Sequence, residues 1–498
     1  MVSRASRRAI VALLLAGAAG CGTTVPLRSG TSVDGLTAAP SGSSDDSGTP
    51  QGQAGTNGGS GGSSGQGTTG VQGGSVSSAP NSISTTPTAA VAGSDSAGAA
   101  ARPHSAVQVG IGYSSDGAKF GSTFGGNLNT GDEKRAAQTV VDWMNAHGGL
   151  AGHRVAPVFF DFQLTSASSW AQTEQQMCTA WTQDAHVVAA LWVGVNAPTN
   201  IVECLQSRGV PFLENGYVLH DQQDFKHWSL MSDAAELEGD AAARTYVEGL
   251  AGLGFFTPKD KIGVVGEDYH TAQRVYANAL RPQLSRHRLS VAVYEEIHTP
   301  QSTPDIGSSV SAIQSAVLKM RSEGVTKVLF LCYGCAGFFM QSAQSQGWNP
   351  TYGLSTLDAL WNLGGSAPAG QLNNAKAVGW VPLSDVPENV APQPNATARL
   401  CAGILKGQIP SQEPRFFAFN FCDALLTLHT AARPLTTLSA KTLNAGIGAL
   451  GEHFQSALVL HTDLGPSKHW GVDQARNLAF DSACSCFRYT GNAYPIVR

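Results

Sequence analysis

Apolar positions fall into two alternating rhythms from Val107 onward. Val107-Gln108-Val109-Gly110-Ile111-Gly112-Tyr113 alternates with period two and predicts a strand that ends in the polar turn Ser114-Ser115-Asp116-Gly117. Between Gly131 and Met144, residues Ala136, Val140, Val141 and Met144 recur near helical spacing, so this stretch predicts a helix. Asn145 and the pair Gly148-Gly149 then offer positions for positive φ, where a helix stops and the chain turns back. Val155-Ala156-Pro157-Val158-Phe159-Phe160 predicts a mostly apolar strand, and Pro157 places it near a sheet edge. Strand, helix, glycine turn and strand make one βαβ unit.

The same rhythm repeats. A helix is expected over Ser169–Asp184, a buried strand over His186–Val195, a helix over Pro198–Ser207 and a short strand over Val210–Leu213. The series restarts with a helix over Ala234–Leu253. Strands over Lys261–Gly266, Val291–Ile297, Lys327–Cys332 and Tyr352–Ser355 then alternate with helices over Thr271–Arg286, Ser308–Glu323 and Gly337–Gln346. Ala377–Val381 reads as a strand crossing back, Asn395–Leu460 as mostly helical, and Leu478–Asn492 as a terminal hairpin. Near-continuously apolar strands alternating with helices imply an α/β fold of parallel sheets covered on both faces, here in two Rossmann-like sets.

The N-terminal region follows a different pattern. Arg4, Arg7 and Arg8 precede an apolar run, Ala9–Ala19, that is too short to anchor a chain across a bilayer and reads as an export signal. Ala18-Ala19-Gly20-Cys21 resembles a lipobox, which implies lipidation at Cys21; Ser6-Arg7-Arg8 leaves a twin-arginine route open beside the general one. Residues 22–105 are Gly-, Ser- and Thr-rich with almost no aromatics, the composition of a flexible tether. Within it, Gly58-Gly59-Ser60-Gly61-Gly62 matches a nucleophile-elbow pattern but lacks the flanking strand and helix.

Charge and cysteine content narrow the function. Only 13% of the 498 residues are charged and the net charge is −5, with no basic stripe for nucleic acid. No phosphate loop, zinc-binding His-Glu-x-x-His helix or ligand-spaced Cys/His cluster is present in the sequence, so no cofactor or metal is expected and an enzyme is disfavoured. Nine cysteines less Cys21 leave an even eight, suited to an oxidising compartment. Proximity suggests the pairs Cys178–Cys204, Cys332–Cys335, Cys401–Cys422 and Cys484–Cys486, while Cys332-Tyr333-Gly334-Cys335 leaves a redox pair as the alternative.

The stretch Asn145-Ala146-His147-Gly148-Gly149-Leu150-Ala151-Gly152-His153 resembles the first helix-to-strand connection of type I periplasmic binding proteins, specifically the branched-chain-amino-acid-binding family of ABC transporter receptors. Asp161, Gly194 and Asp268-Tyr269 fit the same pattern, and the resemblance spans residues 106–498. It implies two lobes joined by a three-stranded hinge, with residues 106–228 and 381–462 in the first and 229–380 and 463–498 in the second. It also implies a lipid-tethered monomer on the outer face of the membrane that hands a small solute to an ABC permease. A ligand sensor or scaffold of the same fold is the alternative, and a secreted hydrolase a more distant one.

In such sheets ligands sit beyond the carboxyl ends of the strands. The candidate ligand residues are therefore Ser114, Ser115, Asn196, Asn215 and Tyr217 in the first lobe, with Tyr269, Tyr333 and Asp358 in the second. Tyr269 matches a position that contacts ligand in the family. The turn after the third strand has no hydroxyl until Thr199, where amino-acid receptors carry one for the ligand carboxylate. An amino acid, an amide, a urea-like compound or an aromatic acid all remain open. The Asn145–His153 motif itself is expected to shape the fold, away from the ligand.

Overall fold

The computed structural model describes residues 104–123, 130–193, 199–215, 218–373, 375–407 and 415–498. Cys21, Asn196 and Tyr217 lie outside the described residues.

Two sheets organise the chain. The first contains β1 (His104–Tyr113), β2 (His153–Asp161), β3 (Ala189–Trp192), β4 (Phe212–Glu214) and β5 (Met231–Ser232) in the order β2-β1-β3-β4-β5, every neighbour parallel. Pro157 falls on the edge strand β2, where its missing N–H costs no ladder bond. The second sheet contains β6 (Ile262–Glu267), β7 (Val291–Ile297), β8 (Lys327–Leu331), β9 (Thr351–Ser355), β10 (Lys376–Gly379), β11 (Gln474–Asp481) and β12 (Cys486–Pro495). Its order is β12-β11-β10-β9-β8-β6-β7, parallel from β7 to β10 and antiparallel through the terminal hairpin β11–β12.

β1 is buried from both sides. Val109 and Ile111 belong to a core with Val140, Val141 and Met144 of the helix Glu133–Ala146. Gly110 and Gly112 face the other layer, where a Cβ on Gly110 would lie 2.7 Å from the Trp181 ring and one on Gly112 2.5 Å from Trp192. The two glycines thus make room for two large indoles, a use of glycine in strands where another group approaches closely.

Several element boundaries differ from the hydropathy reading, each for a local reason. The helix expected from Ala234 begins at Gly239, because Glu238 caps it by accepting from the Asp240 and Ala241 N–H groups. Asp233–Glu238 is instead a crossover between the sheets. The strand expected from His186 begins at Ala189, since His186 has φ 54° and belongs to the preceding turn. The helix from Trp170, capped by Ser169, passes into a π-helical segment, Ala180–Asp184, and the helix from His270 does the same over Tyr276–Leu280. Ala377–Val381 is not mainly a crossing strand: β10 is a full member of the second sheet, and the chain crosses only after it, at Trp380 and Val381.

Asn145 also departs from expectation. It lies inside the helix with ordinary backbone, and positive φ falls instead on Gly148, Gly149, Ala151 and Gly152. The Asn145 side chain reaches forward to β2, accepting from Val155 N–H at 2.7 Å and donating to Val155 C=O at 3.0 Å. The Gly149 carbonyl accepts from His429 Nδ1 at 2.8 Å, which ties the turn to the long helix Arg415–Ala432. This motif sits at the start of β2, the end of the sheet opposite the strand C-termini.

After β10 the chain returns to the first sheet, where Arg415–Ala432 packs on Glu133–Ala146, and it crosses again after Thr462. The first and last crossovers run side by side, with Asp233 N–H donating to His469 C=O, and Gly471 N–H and Val472 N–H to Asp233 and Glu236 C=O. The structure places the four cysteine pairs at disulfide distance, with Cα separations of 6.2, 5.8, 5.9 and 5.2 Å in chain order. Cys178–Cys204 and Cys401–Cys422 each join two helices.

A candidate solute site between two sheets

The C-terminal ends of the strands in the two sheets face a shared cavity of about 270 Å³. The first sheet contributes Phe120 and Gly121, which follow β1, and Trp170, which follows β2. From the second come Glu267 and Tyr269 at the end of β6, Ile297 to Pro300 after β7, and Cys332 to Cys335 after β8. Leu357, Ala359 and Trp361 follow β9, and Ile306, Val310 and Phe338 lean in from the intervening helices. The strand-end rule for open α/β sheets is obeyed in both halves at once.

The two halves touch on both rims of this cavity. On one rim Trp170 N–H donates to Gln301 C=O at 3.0 Å, and the Thr303 hydroxyl to Leu164 C=O at 2.6 Å. On the other, the Arg274 guanidinium pairs with Asp221 and Asp224, both at 2.6 Å, and the Thr271 hydroxyl donates to Asp224 at 2.5 Å. The Tyr269 hydroxyl donates to Leu219 C=O at 3.2 Å. The hydrogen bond to Asp221, with the charges of Asp224 and Asp221, holds the Arg274 pKa above its usual value. These contacts bridge the two halves on either side of the cavity.

The candidate residues from sequence divide into two groups. Tyr269 and Tyr333 line the cavity, and burial raises both phenol pKa values, keeping them neutral hydrogen-bonding groups. Ser114, Ser115, Asn215 and Asp358 are engaged elsewhere. Ser114 N–H donates to Glu133 at 2.7 Å, and Ser115 donates to Asp161 from both N–H and hydroxyl, at 3.0 and 2.6 Å. The Asn215 amide, 1% exposed, donates to Asn420 C=O and Asp423, beneath the first sheet. Asp358 turns inward to accept from Ser355 N–H at 2.7 Å, while Leu357 and Ala359 on either side face the cavity.

Hydropathy and motif reading overlooked Glu267, Phe120, Trp170 and Phe338. Glu267 is the last residue of β6, one position before the Asp268-Tyr269 pair that drew attention. Alternation along the strand puts it, and not its exposed neighbour Asp268, in the cavity wall. Burial pushes its carboxyl up to about 8, against the Tyr333 N–H that favours the charged form and with the Asp268 charge adding to the rise.

Among the described residues that line the cavity, the one other ionisable base is His298. Both its ring nitrogens are taken, by Asp268 at 2.8 Å and Asp305 at 2.7 Å, and these bonds raise its pKa. No Lys or Arg is among the described residues that line the cavity. The Cys332–Cys335 segment proves to join a strand end to a helix N-terminus, since Cys335 opens the helix Cys335–Ser345, and both cysteines are buried in the wall at 2% and 4% exposure. Among the described residues no group of His, Cys, Asp or Glu is arranged to hold a metal ion.

One all-parallel sheet and one mixed sheet, joined by three crossovers, share a cavity at their strand C-terminal ends. The chain belongs to the periplasmic binding protein family, whose model matches residues 122–455, and it has the type I fold of that family. Members of the family bind solutes outside the cytoplasm and are not enzymes. Similar solved structures include the branched-chain amino acid transporter substrate-binding protein of Streptococcus pneumoniae with isoleucine, at 14% identity and TM-score 0.55, covering 78% of this chain and 99% of that one. An ABC transporter solute-binding protein of Rhodopseudomonas palustris with 3,4-dihydroxybenzoic acid is 11% identical at TM-score 0.57, with 79% and 98% covered. An ABC transporter substrate-binding protein of Aeropyrum pernix is 11% identical at TM-score 0.59, with 78% and 95% covered. No curated protein matches the sequence.

Proposed function

We propose that this protein is an exported, lipid-tethered receptor that captures a small solute between its lobes and delivers it to an ABC importer. The observation that carries the reading is the cavity itself: a space of about 270 Å³ at the strand C-termini of both sheets, with both rims bridged. That volume suits a solute of one ring or a short branched chain, and its mostly apolar wall with few polar groups is the usual character of a small-molecule site. Family membership and the solutes bound by its structural neighbours support transport as the use of the fold.

Tyr269 and Tyr333 are assigned as ligand contacts on this reading, with Trp170 and Trp361 closing over an apolar body. Cys21 carries the lipid on this reading. The test is thermal denaturation of the purified protein against amino acids, aromatic acids, amides and amines. One chemical class should raise the midpoint, since a ligand at a hundredfold over its Kd adds about 2.7 kcal/mol of stability. If no compound in any class moves the midpoint, the receptor reading fails.

A further inference from the structure

The cavity wall is unequal in charge. Among the described residues, its two ionisable groups other than the tyrosines and cysteines are Glu267 and His298, and both ring nitrogens of His298 are held by carboxylates. Glu267 accepts from the Tyr333 N–H and lines the same space as the rings of Trp170, Trp361, Phe338, Tyr269 and Tyr333. Among the described residues of the wall, a carboxylate meets no cation but His298, whose two ring nitrogens are already held by Asp268 and Asp305, whereas an ammonium meets a carboxylate and several π faces. Aromatic faces attract cations most strongly where water is excluded, and a buried charge is tolerated when it is paired.

Resting on the receptor reading above, we propose that the cavity selects organic ammonium compounds, an apolar or aromatic body bearing one cationic nitrogen, and that Glu267 receives the nitrogen. Trp170, Trp361 and Phe338 hold the body, and the Tyr269 and Tyr333 hydroxyls supply the remaining polar edge.

The ionisable groups facing Glu267 are Asp268 and Tyr269 beyond its own strand, His298 after β7 and Tyr333 after β8. With its pKa near 8 in the empty protein, Glu267 must release a proton to pair with an ammonium. Amine affinity therefore rises by up to about tenfold per pH unit as pH approaches 8 from below. An acid that accepted a hydrogen bond from neutral Glu267 would show the opposite slope.

Phenethylamine and tyramine, set against 4-hydroxybenzoate and isoleucine, distinguish the cases by calorimetry and thermal shift on the full chain at pH 6 and pH 8. The expected result is amine binding that tightens from pH 6 to pH 8. In Glu267→Gln the affinity falls by about tenfold or more and the pH slope disappears, while the ligand-free melting point does not fall. Stabilisation by the acids and not the amines, or amine binding unchanged in Glu267→Gln, overturns the ammonium assignment and leaves the receptor reading standing. No stabilisation by these four compounds or by the wider library overturns both.

Discussion

Two glutamates in this molecule share a property and differ in surroundings. Glu133, at the start of the helix behind β1, and Glu267, at the end of β6, are both pushed up to about 8 by burial. Glu133 is 4% exposed and fully engaged: it accepts from Ser114 N–H at 2.7 Å and from Thr130, beside the charges of Asp161 and Asp116. Glu267 accepts from the Tyr333 backbone and lines the cavity. A raised pKa alone therefore does not mark a functional acid. What separates the two is whether the remaining lone pairs meet protein or a cavity.

The contrast predicts unequal costs of removal. Glu133→Ala leaves the Ser114 N–H without its buried acceptor and should lower stability by about 2–3 kcal/mol, measured as a shifted urea midpoint at constant slope. Glu267→Ala loses one acceptor beside a space that water can enter and should cost about 1 kcal/mol or less. Equal losses would mean that both acids serve the fold alone.

Stability should also fall as pH rises between about 4.5 and 8, because each glutamate keeps its proton in the folded state and loses it in the unfolded chain. The contribution is fully present below the unfolded value and is lost as pH passes through about 8. Glu133→Gln and Glu267→Gln should each flatten this decline in urea titrations at pH 5 and pH 8. Only the second should change ligand response.

Smaller effects belong to the rims and the family motif. Asn145→Ala removes both side-chain bonds to Val155 and should cost about 1–2 kcal/mol with solute affinity unchanged. Arg274→Ala breaks the bridge to Asp221 and Asp224 on one rim, and with the guanidinium 25% exposed the loss should be about 1 kcal/mol or less. It should appear as a severalfold faster solute release in stopped-flow fluorescence, since that pair is made only when the lobes meet.

Much of the fold was legible because period-two and helical spacing are properties of neighbouring residues. The strands of both sheets other than the two-residue β5, the edge position of Pro157 and the terminal hairpin followed from that spacing. Glu238 as a cap was missed, since a glutamate before Gly239 carries no hydropathy signal distinct from the polar stretch preceding it. The site was only partly legible. Tyr269 and Tyr333 lie at strand ends where topology alone puts them in the cavity, but Ser115 and Asp358 lie at equivalent ends and are consumed by Asp161 and by Ser355. Glu267 and Asp268 are adjacent acids, and only strand register decides which one faces inward. Trp170 and Phe338 reach the cavity from helices, and their placement depends on how each helix packs on its sheet.

The central claim is that a solute occupies the space between the sheets, and filling that space tests it most directly. Val310 lines the cavity from its helix and is only partly buried, so Val310→Trp projects an indole into the open volume. Calorimetric titration of any compound that stabilises the wild-type protein should give one site per chain, with binding abolished in Val310→Trp and the ligand-free melting point retained. Undiminished binding to a folded Val310→Trp protein would place the solute elsewhere and contradict the account.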